Sequence, residues 1–144
     1  MNQFKTNTER LRSSGLRPTK QRLFISSILF DRKETFHFTI EKLKTIVEKD
    51  SRKKISLATL YNTVHAFKKK GYLKEISLKG NKTFFDTNTR NHHHFFDEDS
   101  SQLIDKKNEN VSINNLPSAP NGKRIKEIEI IIRVATDNQK HKIN

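Results

Sequence analysis

At Gly71 the spacing of apolar residues changes, from helical steps before it to short alternating runs after it. A chain with helices first and strands second belongs to the α+β class. The most ordered stretch is the one that leads to this change, residues 55–71. Ser56 is placed as an N-cap, because its hydroxyl accepts from a first-turn amide, and Gly71 as the stop, because glycine takes the left-handed conformation after a last turn. Leu57, Leu60, Val64 and Phe67 follow one another at steps of 3, 4 and 3 residues, a single stripe to be buried. The opposite face carries Ala58, Thr59, Asn62, His65 and Ala66. Such small and mixed side chains can lie close against a DNA major groove, where Asn pairs with adenine and the Thr and Ala methyls pack on thymine. Lys68, Lys69 and Lys70 at the end of the helix are placed for phosphates, and a solvated helix is the alternative for this segment by itself.

Three shorter helices are expected upstream. Thr8 to Ser13 ends at Gly15; a second follows Pro18 with Thr19 as its cap and runs to about Phe30; a third starts at Thr39, carries Ile40, Leu43, Ile46 and Val47, and stops near Asp50. Downstream, Leu73 to Leu78 and Lys82 to Asp86 are strands joined by a tight turn at Lys79-Gly80-Asn81. Helices followed by a hairpin make a winged helix-turn-helix domain over residues 1–86, with 87–91 as a hinge. Residues 92–136 then form a small, mostly β domain for dimerisation and sensing, and 137–144, with His141, a polar tail. Its strands are expected at His92 to Phe96, Gln102 to Asp105, Val111 to Ile113 and, most strongly, Ile125 to Val134, with a loop at Leu116 to Gly122. In the last strand Ile128, Ile130, Ile132 and Val134 share a face that needs a partner surface, which a second copy of the chain supplies.

Charge separates the two halves. The first 80 of the 144 residues hold 19 Lys and Arg against 7 Asp and Glu, net +12, and the remainder hold 10 against 9, net +1. The first half attracts a polyanion, and nucleic acid is the leading partner. No apolar run reaches the length of a membrane span and the start has no signal-peptide core, which points to a cytoplasmic protein with no membrane partner. The chain has no cysteine, so disulfides and thiolate metal sites are excluded. Any metal is held by His and carboxylate.

His92, His93 and His94 are the candidates. On a strand His92 and His94 project from one face and His93 from the other, and the first pair can share a metal or present a haem ligand. Asp86, His37 and the acidic run Asp97-Glu98-Asp99 offer further donors; a solvated polar run is the plain alternative.

The ordered set Ser14-Gly-Leu-Arg-Pro-Thr-Lys-Gln-Arg22, Phe36-His-Phe-Thr-Ile-Glu-Lys-Leu43, Ser56-Leu-Ala-Thr-Leu-Tyr-Asn-Thr-Val64, Gly71-Tyr-Leu, Phe85-Asp and the histidine cluster resembles the Fur (ferric uptake regulator) family over roughly residues 8–135. Leu-Tyr-Asn-Thr-Val-His, Phe-Asp-Thr-Asn-Thr and His-His-His-Phe-Phe are most similar to its iron response regulator (Irr) branch of alphaproteobacteria. The resemblance implies a homodimeric winged-helix regulator, not an enzyme, that binds palindromic double-stranded DNA and senses iron status, in Irr-like proteins as haem at the His cluster. It implies that Arg17 enters the minor groove, with Lys20 and Arg22 beside it, and that Tyr61 and Asn62 read the major groove with Ser56, Ala58, Thr59 and His65 around them. Asn62 stands where many relatives have Arg, which moves the expected operator towards A·T-rich sequence. His37, Asp86 and His92 or His94 match positions of a regulatory metal site that suits Fe2+, Mn2+ or Zn2+. Two departures stand out: the Cys-x-x-Cys pairs of structural zinc are missing, and a short Pro-containing loop follows Val111 where many Fur proteins have a helix.

Three other readings fit parts of the chain. Direct sensing of Mn2+, Fe2+ or Zn2+ replaces haem within the same family. A metal-dependent nuclease uses the His cluster and Asp97-Glu98-Asp99, and an architectural DNA binder carries histidines that bind nothing.

Overall fold

Each α-helix among the described residues starts on the hydroxyl of a Ser or Thr. The computed structural model describes residues 6–78, 80, 82–106 and 111–138, and the chain divides into two compact units, Met1–Thr89 and Arg90–Asn144. The first unit holds α1 (Asn7–Ser13), α2 (Lys20–Phe30), β1 (His37–Phe38), α3 (Ile40–Ser51), α4 (Leu57–Lys70), β2 (Lys74–Leu78) and β3 (Lys82–Asp86). Thr6, Thr19, Thr39 and Ser56 are extended N-caps whose side chains accept from the amides of Glu9, Arg22, Lys42 and Thr59. Glu9 returns the contact to the Thr6 amide at 3.2 Å, a capping box that starts α1 slightly earlier than its apolar spacing predicts.

The core of this unit is built from one face of each helix. Leu11, Ile25, Leu29, Leu43, Val47, Leu60, Val64 and Phe67 are buried around Phe38 and Phe85 of the sheet. Phe30 meets the Phe67 ring edge-on at 5.2 Å between centroids. The stripe expected on α4 is corrected at its first turn: Leu57 is 47% exposed, and Thr63 is buried in its stead. Thr63 tolerates burial because its hydroxyl donates to the Thr59 carbonyl at 2.8 Å.

β1, β3 and β2 form one antiparallel sheet in that order. β1 was not legible in the sequence, where His37 is a possible start of the third helix; instead His37 pairs with Asp86 and Phe38 with Phe85. β2 and β3 pair from Lys74↔Asp86 to Leu78↔Lys82. Of the turn expected between them, Lys79 and Asn81 lie outside the described residues, and Gly80 has φ +84.

The second unit is a three-stranded sheet in the order β5 (Gln102–Lys106), β4 (His93–Asp97), β6 (Ile131–Val134). β4 and β5 form an antiparallel hairpin, and β6 runs parallel to β4. Two expected strands are corrected. Val111 to Ile113 has no strand, and the long strand at Ile125 to Val134 is reduced to its last four residues. Alternating isoleucines make a strand only where an edge accepts them, and β4 pairs with Ile131–Val134 after a first bond from the His94 amide to the Ile130 carbonyl at 3.1 Å. No described helix is long and apolar enough to cross a membrane. His141 lies outside the described residues.

Candidate metal centre and nucleic-acid interface

The hairpin register decides which carboxylate meets the histidines. Pairing of Asp97 with Gln102 carries along the strands to put His94 opposite Asp105. His94 Nε2 lies 3.2 Å from Asp105 Oδ1 and His92 Nε2 lies 3.4 Å from the same oxygen. The two imidazoles are 4.4 Å apart between centroids and both are buried.

The other ring nitrogens fix what those contacts mean. His92 Nδ1 is 2.7 Å from the Arg90 carbonyl, which only accepts, so Nδ1–H donates and a neutral His92 has its lone pair on Nε2. That lone pair faces Asp105, itself an acceptor. His94 lies between two carboxylates, Asp105 at Nε2 and Glu129 Oε1 at 3.6 Å from Nδ1, yet a neutral imidazole has a single N–H. At least one carboxylate therefore faces a lone pair. A cation resolves both conflicts, either as protons on the rings or as a metal ion between His92, His94 and Asp105.

The donor set fits an ion. The ligand atoms of His92, His94 and Asp105 lie within 4.8 Å of one another. Metal–ligand bonds of about 2.0–2.2 Å space neighbouring ligand atoms from about 2.8 Å at octahedral angles to about 3.6 Å at tetrahedral ones, and the 3.2 and 3.4 Å separations fall in that span. Two nitrogens and one oxygen suit Fe2+, Mn2+ or Zn2+.

The remaining candidates have contacts of their own. His93 is buried too, but its Nδ1 accepts from the Ile130 amide at 3.2 Å, so it leads the chain into β6 and does not join the cluster. His37 and Asp86 are partners across the sheet of the first unit, where His37 meets the Phe84 ring edge-on and the buried Asp86 accepts from the Asn88 amide at 2.8 Å. The acidic run closes the β4–β5 turn. Asp97 accepts from the Ser100 hydroxyl at 2.7 Å and the Asp99 amide at 3.0 Å, and these bonds, the hydroxyl first, hold its carboxyl below the usual range. Asp99 is held low by Thr136, whose amide it accepts, and Glu98 pairs with Arg133 at 3.4 Å. Asp105 and Glu129 were missed in the sequence. The signal for Asp105 was the hairpin register; Glu129 had none, because it precedes β6 in a segment without strand pairing.

The second candidate surface is on α4. Ala58, Tyr61, Asn62 and His65 are exposed, Tyr61 at 41% despite its ring, and Thr59 is half-buried. Tyr61 stacks on His65 at 5.7 Å and 12°, and His65 abuts the edge of Phe85 at 5.8 Å. The pair is thereby braced by the sheet. The hydroxyls of Ser56 and Thr59 meet at 2.8 Å at the helix start. Arg17 and Lys20 are exposed, whereas Arg22 is half-buried and donates to the Arg17 carbonyl at 3.1 Å, a contact that braces the Arg17 backbone.

Comparison with known proteins identifies the family. Residues 13–141 match the ferric uptake regulator family. The chain is 34% identical over 95 residues to the peroxide-responsive repressor PerR of Staphylococcus aureus strain Mu50, covering 66% of this chain and 62% of that protein. It thus spans about 62% of the length of the curated relatives it matches. The ferric uptake regulator (Fur) of Vibrio cholerae superposes with a TM-score of 0.65 at 22% identity, covering 90% of this chain and 99% of that one. The ferric uptake regulator from Pseudomonas aeruginosa with manganese gives 0.65 at 17% identity, covering 93% and 100%. At such identities these structures establish the fold.

Proposed function

We infer that this chain, which belongs to the ferric uptake regulator family, is a dimeric transcriptional regulator whose affinity for DNA is set by a divalent metal ion at His92, His94 and Asp105. The observation that carries this reading is the polarity of the cluster: two buried imidazoles bring their Nε2 atoms to one carboxylate oxygen, and the Nε2 of a neutral His92 is itself an acceptor. An ion bound there supplies the positive charge that lets those acceptors approach. Glu129, whose Oε1 lies 3.6 Å from His94 Nδ1, is proposed to close on that nitrogen and fix its tautomer, as outer carboxylates do for metal-bound histidines. His37 and Asp86 of the first unit are kept as proposed metal donors, as the family resemblance implies. Fe2+ and Mn2+ lead on the hardness of the carboxylates, with Zn2+ next.

Haem is the weaker ligand on this geometry. A porphyrin needs an open face on its axial nitrogen, and here Asp105 stands 3.4 and 3.2 Å from both Nε2 atoms. The assignment to the Irr branch rests on the sequence motifs alone.

DNA recognition is proposed for the first unit, taken as a winged helix with α4 as the reading helix and β2–β3 as the wing. The exposed Ala58, Tyr61, Asn62 and His65 support it, with Thr59 and Ser56 at the helix start and Arg17, Lys20 and Arg22 towards the backbone and minor groove. An A·T-rich palindrome is the proposed operator, Asn62 pairing with adenine. Regulation by binding, with no catalytic step, accounts for all of these residues.

Calorimetric titration of metal-free protein with Mn2+ and Zn2+, beside a spectral titration with haem, tests the ligand. One ion per protomer is expected, lost in a variant with His92→Ala and His94→Ala. A saturable Soret change abolished by the same substitutions, with no ion bound, would replace the ion by haem.

A further inference from the structure

The first unit also holds a cavity of about 230 Å³. Phe24 of α2, Val47 of α3 and Ile55 before α4 form its apolar wall, and Lys20, Lys53 and Lys54 stand at its rim. Val47 and Ile55 are buried whereas the three lysines are exposed. Among the described residues no carboxylate pairs with those three ammonium groups. Of the two acids that precede them in the chain, Glu48 accepts from the Ile55 amide at 3.3 Å and lies 3.9 Å from Lys44, and Asp50 is exposed and offset by Arg52 in the same stretch. The rim is therefore a concentrated positive charge above an apolar hollow.

Each half of that arrangement selects. A simple anion gains from the lysines but leaves the wall to water, and a neutral hydrocarbon buries the wall but leaves the charge unanswered. A molecule with a short apolar body and one carboxylate satisfies both. The volume lies below the roughly 300–1,000 Å³ of drug-sized pockets, which excludes nucleotides and large cofactors. We propose that this cavity binds a small amphipathic carboxylate, a medium-chain fatty acid or an aryl carboxylate. Its body packs on Phe24, Val47 and Ile55, and its carboxylate is held by Lys20, Lys53 and Lys54.

The site adjoins the start of α4: Ile55 directly precedes Ser56, the N-cap. A carboxylate on the rim takes up lysines that DNA phosphates would otherwise meet, so occupancy lowers DNA affinity. That consequence rests on the DNA-binding reading; the binding itself does not.

Octanoate is the probe, read by methyl NMR on the full chain. Saturable shifts are expected at Val47 and Ile55, and a K53E/K54E variant, whose exposed positions leave the core untouched, is expected to bind about tenfold more weakly or less. 1-Octanol and inorganic phosphate, each with half of the chemistry, are expected to give no saturable shift at those methyls. Absence of saturation by octanoate, or equal affinity in K53E/K54E, overturns the site. Octanoate that binds without lowering DNA affinity overturns the regulatory consequence alone. A chain that binds octanoate but no DNA at all counts against the regulator reading and leaves the cavity assignment standing.

Discussion

Asp105 gives the metal centre its sign. Without its carboxylate the two imidazoles keep their ring contacts with Arg90 and Glu129 but have no shared oxygen between them. Asp105→Ala is expected to weaken Mn2+ binding by about 100-fold, and Glu129→Gln, which keeps a weaker acceptor for His94, by about tenfold; competition with a fluorescent chelator measures both. His93→Ala removes an acceptor for the Ile130 amide and not a ligand, so it is expected to lower stability by about 1–3 kcal/mol with the ion affinity retained. Equal loss of metal binding in all three variants would contradict this division of roles. Because both imidazoles must be unprotonated to hold an ion, affinity is expected to fall on acidification, with protons released on binding.

At the scale of elements, α4 depends on its two ends. Ser56→Ala deletes the bond to the Thr59 amide and is expected to cost about 1 kcal/mol in urea unfolding. Gly71 has φ +92 with open space around a would-be Cβ, so Gly71→Ala is expected to cost about 1 kcal/mol from the backbone alone. The β4–β5 turn adds a pH dependence. Asp97 titrates below its unfolded value of 3.8 because the folded state holds its carboxylate, chiefly through Ser100. That contribution is present above the unfolded value and is lost as the pH falls through the folded one. The stability difference between the parent and Ser100→Ala is therefore expected at neutral pH and to close below about pH 4. These ends were readable in the sequence because a cap is a local event: Thr19, Thr39, Ser56 and Gly71 lie within a turn of what they terminate. Pairing between distant segments was not. The two-residue β1 has no pattern of its own, Ile125 to Glu129 alternate as a strand would but pair with no strand, and Asp105 joins the histidines only through register.

At the scale of the molecule, apolar surface and charge point to two kinds of partner. Ile104, Ile113, Leu116, Ile125, Ile128 and Ile132 of the second unit are exposed, large apolar side chains that a partner surface would take out of water. A second copy of the chain is the proposed cover, and an Ile104→Lys, Ile132→Lys variant is expected to sediment as a monomer where the parent sediments as a dimer. The positive charge of the first 80 residues, net +12 from 19 Lys and Arg against 7 Asp and Glu, calls for DNA binding that weakens steeply with salt. The most direct test joins both proposed sites: fluorescence anisotropy of an A·T-rich palindromic duplex, with Mn2+ or with chelator, for the parent and for His92→Ala, His94→Ala. The parent is predicted to change its DNA affinity by tenfold or more, about 1.4 kcal/mol, between the two conditions, and the variant is predicted to hold one affinity in both. A parent indifferent to Mn2+, or a variant that still responds to it, would contradict the account.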